Sequence, residues 1–65
     1  MQIILNGESY TTAARSIAEL IEEVGAGAKT IALAQNTQVV RAQDWANTSL
    51  CDGDEIEILQ FMGGG

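Results

Sequence analysis

Residues 16–25 read "SIAELIEEVG". Ile17, Leu20, Ile21 and Val24 fall at i, i+3, i+4 and i+7, which lines four apolar side chains along one face of a helix. Ser16 and Glu19 have the spacing of a capping box, in which the serine hydroxyl accepts from a free N–H of the first turn and the glutamate reaches back to the cap. Gly25 supplies a residue able to take the left-handed conformation on which helices end. Glu22 and Glu23, at the end of the stretch, read as a solvated face. A helix of about nine residues is not stable alone in water, so its stripe has to pack on something. The nearest candidate is a sheet built from the flanking sequence.

Upstream, "QIILNGESYTT" (residues 2–12) reads as a hairpin. Two short runs of β-formers flank Asn6-Gly7, a pair that accepts the positive φ angles of a type I′ turn. Downstream, "KTIALAQN" (29–36) reads as a strand with Ile31 and Leu33 on one face, and "TQVV" (37–40) as a short strand after a turn near Asn36. "AQDWANTSL" (42–50) is irregular or a single helical turn anchored by Trp45 and Leu50, "DGD" (52–54) is a turn, and "EIEILQF" (55–61) is the last strand. The order is ββαβββ: an α+β domain of two layers, with one main helix on one face of a mixed sheet. Residues 1–61 form the domain and 62–65 a flexible glycine tail.

The last strand alternates Glu55, Ile56, Glu57, Ile58, which turns the isoleucines toward the helix. The phase then breaks. Gln60 falls on the isoleucine face, and Leu59 and Phe61 fall on the face of Glu57. A regular strand leaves both apolar side chains on the outer surface, where they would form a docking patch; a bulge would return one of them to the core. Leu59 reads as exposed, while Phe61 fits either arrangement.

Length and charge bound the function. Sixty-five residues make one domain, and a chain of this size buries only about 60% of the surface that its unfolded form exposes. That leaves no room for a deep cleft. Three basic residues against nine acidic ones give a net charge of −6, a poor match for nucleic acid and a good one for steering toward a basic protein surface. One cysteine, Cys51, rules out an internal disulfide and fits a reducing compartment. The N-terminus lacks the features of a signal peptide, and no apolar run approaches the ~20 residues of a membrane span. The expectation is a cytoplasmic protein without nucleic-acid or membrane partners.

Several catalytic signals fail on inspection. "GAGAKT" (25–30) has Ala28 before Lys29 and runs from helix to strand, the reverse of a phosphate loop. There is no histidine, and neither the single cysteine nor the scattered carboxylates make a metal pattern. Asp52 and Asp54 would raise the pKa of the Cys51 thiol, so Cys51 reads as a buried or half-buried small hydrophobe rather than a nucleophile. The chain is expected to be no enzyme and to bind no cofactor or metal of its own.

What remains is the end, "QFMGGG". Glycine has no Cβ, so Gly63, Gly64 and Gly65 form a thin lead. At ~3.3 Å per residue it reaches roughly 10 Å, enough to thread a narrow active site in another protein. The terminal carboxylate is a poor electrophile until ATP converts it to an acyl-adenylate, from which a sulfur nucleophile displaces AMP. The domain would then be the part a partner holds, docking through Leu59, Phe61 and Met62 while the tail enters. A frayed terminus or a linker scar is the plainer alternative.

The second half resembles the sulfur carriers of thiamine thiazole biosynthesis, the ThiS family. The likeness rests on Ala34, Asn36, Val39, Val40, Trp45, Asp52, Gly53, Asp54, Ile56, Gly64 and Gly65, and the Asn-Gly hairpin and helix of the first half fit as well. One departure stands out: Arg41-Ala42 follows the paired valines where the family has Pro-Arg. The resemblance implies a ubiquitin-like β-grasp fold. It implies that Gly65 is adenylated by a ubiquitin-activating-type adenylyltransferase using ATP and becomes a thiocarboxylate. The sulfur would come from cysteine through a desulfurase and pass to thiazole synthase. The small subunit of molybdopterin synthase, and a ubiquitin-like modifier or interaction module, are the alternative readings.

Overall fold

The computed structural model describes residues 1–60. Five strands form one sheet: β1 (Gln2–Leu5), β2 (Glu8–Thr11), β3 (Thr30–Gln35), β4 (Gln38–Val39) and β5 (Glu55–Gln60). Their spatial order is β2-β1-β5-β3-β4. β1 and β5 run parallel at the centre, with Ile4 opposite Glu55 and Leu5 opposite Ile56, and the other pairs are antiparallel. One helix, α1 (Ile17–Glu23), and two 3-10 stretches, Gly27–Lys29 and Ala42–Asn47, complete the order among the described residues.

The hairpin turns where the sequence places it. Asn6 (φ 50°) and Gly7 (φ 85°) both take positive φ, as a type I′ turn requires. The Asn6 side chain then does more than turn the chain. Its Oδ1 accepts from Ile58 N at 2.8 Å while its backbone N–H donates to Ile56 O, so the β1–β5 ladder continues past the end of β1. A second turn of positive φ, at Asn36 (51°) and Thr37 (73°), joins β3 to β4.

Ser16 caps α1 as its spacing predicts, its hydroxyl accepting from Glu19 N. The glutamate reaches one residue further than a capping box asks, accepting from Arg15 N at 2.7 Å rather than from Ser16 N. Ser16 is extended (φ −134°, ψ 163°) and pairs with Ser49, which ties the helix start to the chain before β5. Gly25 (φ 70°) follows the helix.

The core lies between α1 and the sheet. Ile17, Leu20 and Ile21 of the helix meet Ile3, Leu33 and Ile56 of the strands, with Ala14 and Leu50 closing the ends and Trp45 packed on the rim. Trp45 donates its indole N–H to Val40 O at 3.0 Å, which satisfies its polar edge.

Three expectations are corrected. Ile31 does not share the buried face of Leu33; it is 61% exposed. The register slips by one residue between Thr30 and Ala32 opposite β5, and this bulge removes Ile31 from the alternation. Cys51 is exposed rather than buried, because its backbone N–H is drawn to Asp54 in the turn. Glu23 is exposed but not merely solvated, since it accepts from Tyr10 Oη at 2.6 Å and from Thr12 Oγ1 at 2.9 Å, tying α1 to β2.

Candidate docking face

β5 is the middle strand, and its two faces differ. Ile56 is buried and Ile58 packs against the core, while Glu55, Glu57 and Leu59 point to the helix-free side. Leu59 is 61% exposed, as the break in alternation predicts. Cross-strand partners share a face, so the register identifies its neighbours. Leu59 lies opposite Ala32, and Glu57 lies opposite Ala34, which in turn faces Val39. Ile4 lies opposite Glu55.

The helix-free face is thus apolar across β5, β3 and β4, with two carboxylates set into it, and turns polar at Gln2, Ser9 and Thr11 of β1 and β2. Val39 (73%), Leu59 (61%) and Ile4 (36%) are its large exposed hydrophobic residues. Small alanines at positions 32 and 34 leave a shallow depression lined by Asn6, Ala32, Ala34, Glu57, Ile58 and Leu59. A second depression lies across β5, lined by Ile4, Gly7, Glu55, Ile56 and Glu57. Exposed apolar surface gathered on one sheet face is what a docking partner covers.

Of the residues expected to act, Leu59 lies on this face. Phe61, Met62, Gly63, Gly64 and Gly65 lie outside the described residues. Among the described residues β5 ends at Gln60, opposite Thr30, and runs parallel to β1.

The opposite end of β5 is fixed by Asp54, whose part in the fold the sequence does not disclose. Asp54 is buried, and its carboxylate accepts from Cys51 N (2.8 Å), Gln35 Nε2 (2.8 Å) and Asn36 Nδ2 (3.0 Å). Burial alone would raise its pKa, but these donors from Cys51, Asn36 and Gln35 outweigh it and hold the carboxyl below its ordinary 3.8. Asn36 Oδ1 also accepts from Glu55 N at 2.9 Å. Side chains from the β3–β4 turn thereby set where β5 begins, as Asn6 sets where it continues. The strand leading to the C-terminal residues is clamped on both flanks.

Among the described residues no group of three or more His, Cys, Asp or Glu could hold a metal ion. No helix among them is long and apolar enough to cross a membrane.

A five-stranded mixed sheet with central parallel strands and a single α-helix across one face defines a ubiquitin-like β-grasp protein. More narrowly, the chain belongs to the ThiS family, whose profile matches residues 3–65. It is 36% identical to the sulfur carrier protein ThiS of Escherichia coli K12, with both chains covered in full. It is 32% identical over its whole length to a thiazole synthase of Paramagnetospirillum magneticum, and spans only 20% of that protein. The crystal structure of the thiamine biosynthesis protein ThiS from Geobacter metallireducens superimposes with a TM-score of 0.82 at 30% identity, each chain covered completely.

Proposed function

We propose that this chain is a sulfur carrier for thiazole formation in thiamine biosynthesis, with the carboxylate of Gly65 as its reacting group. The observation that carries the reading is the full-length match to the E. coli sulfur carrier, reaching through the terminal glycines. The exposed apolar face on the strand that leads into them supports it.

In this reading the chain is a co-substrate and its partners hold the catalytic groups. A ubiquitin-activating-type adenylyltransferase grips the face around Leu59 and receives Gly63, Gly64 and Gly65 in its active site. The Gly65 carboxylate attacks the α-phosphate of ATP, pyrophosphate leaves, and a sulfur nucleophile displaces AMP from the acyl-adenylate. The sulfur derives from cysteine through a desulfurase and is held as a terminal thiocarboxylate. Thiazole synthase then takes it, a partner suggested by the relative in which a segment like this chain lies within a protein of that name. Phe61 and Met62 extend the docking surface. The test is incubation with the adenylyltransferase, ATP and a sulfur source, followed by intact mass. Exchange of one oxygen for sulfur supports the reading, and an unchanged mass beside an active enzyme refutes it.

A further inference from the structure

Glu57 stands at the middle of the helix-free face. It belongs to the central strand, lies opposite Ala34, which itself faces Val39, and lines both surface depressions. Leu59 is two residues further along the same side of β5, a separation of about 7 Å. Any partner that covers Leu59 therefore covers Glu57 too. An ionised carboxylate shut beneath an apolar cover loses its hydration with nothing in return, which is strongly unfavourable. Among the described residues none of the five strands carries lysine or arginine; Arg15, Lys29 and Arg41 lie outside them, with Arg41 two residues past Val39 at the edge of the sheet.

We propose that Glu57 is the residue by which this face selects its partner, accepting a charge-assisted hydrogen bond from an arginine or lysine side chain that the partner lowers over Ala32 and Ala34. The two alanines leave the space for a long side chain beside the carboxylate. Glu55, on the same side of the strand, adds to the attraction. The same charge turns away acidic surfaces, including second copies of this chain, whose net charge is −6. The inference rests on the carrier reading, because it takes the adenylating enzyme as the protein that covers the face.

The experiment is ATP-dependent adenylation by that enzyme, followed as pyrophosphate exchange at low and raised salt, with wild type, Glu57→Gln and Glu57→Lys. Circular dichroism melting checks the fold, which should be unchanged because Glu57 is exposed. The expected result is a KM for the carrier raised about tenfold or more by Glu57→Gln and further by Glu57→Lys, with kcat nearly unchanged, since the contact is distant from the reacting carbonyl. The salt dependence of kcat/KM should flatten in Glu57→Gln. Wild-type KM and salt response in Glu57→Gln would overturn the inference while leaving the carrier reading intact, even if Glu57→Lys were impaired. Wild type that is not adenylated at all would overturn the carrier reading, and the inference with it.

Discussion

Replacing Asp54 by alanine tests the clamp that positions β5. The carboxylate is buried and takes three donors, one from the turn (Cys51 N) and two from the end of β3 and the turn after it (Gln35 and Asn36). A hydrogen bond to a charged acceptor contributes about 1.5–3 kcal/mol, and a neutral one about 1 kcal/mol. Asp54 sits near enough the surface for water to reach some of the orphaned donors, so the loss should be about 3 kcal/mol rather than the full sum. Against a total stability of roughly 5 kcal/mol for a domain this small, that is a large fraction. The effect should also carry a pH signature. The Asp54 carboxyl lies below its ordinary 3.8 in the folded chain, so its contribution is fully present above about pH 4, near the unfolded value, and is lost as pH falls through the folded value. Urea unfolding followed by circular dichroism, for wild type and Asp54→Ala from pH 7 downward, measures both. The gap should be about 3 kcal/mol at neutral pH and should narrow below about pH 4. A gap under about 1 kcal/mol, or one that does not change with pH, would refute the role given to Asp54.

Thr37 holds a β-branched side chain at φ 73°, a conformation that suits glycine. Thr37→Gly should raise stability by about 1 kcal/mol in thermal unfolding, because relief of strain exceeds the added chain entropy; a lower midpoint would show that the side chain contributes something unrecognised. Leu33 is 1% exposed at the centre of the core, and Leu33→Ala should cost about 2–5 kcal/mol in urea unfolding. A loss under about 1 kcal/mol would contradict the packing described. Leu59→Asp should keep the melting temperature near wild type and weaken capture by the adenylyltransferase, measured by calorimetry; unfolding by this substitution would make Leu59 a core residue instead.

The elements legible in the sequence are those decided by local chemistry. Asn6-Gly7 specifies its turn through backbone sterics alone, Ser16 and the apolar stripe after it specify the helix, and Gly53 (φ 86°) supplies the positive φ that the 51–54 turn needs. The alternation of Glu55 to Ile58 was enough to place Leu59 on the open face. The position of Ile31 depends on a register slip against β5, about thirty residues away, which no pattern within β3 announces. Asp54 looked like an ordinary turn acid, since a DGD turn reads the same whether its last carboxylate is solvated or buried under donors from another strand. Glu23 depends likewise on partners remote in sequence, Tyr10 and Thr12, while Cys51 is held by Asp54 of its own turn, whose carboxylate is fixed in place by Gln35 and Asn36. Of the candidate site, the phase of β5 identifies Leu59, whereas Glu57 reads in sequence as the polar half of an alternating pair and only the sheet order places it at the centre of the face.

Whether the carboxylate of Gly65 carries sulfur can be read from the intact mass of the chain isolated from cells grown without thiamine. A fraction should be heavier by the difference between sulfur and oxygen, with the change confined to Gly65 on fragmentation and absent after deletion of that residue. A single unmodified mass, under conditions in which the cells are making thiamine through this chain, would contradict the carrier reading.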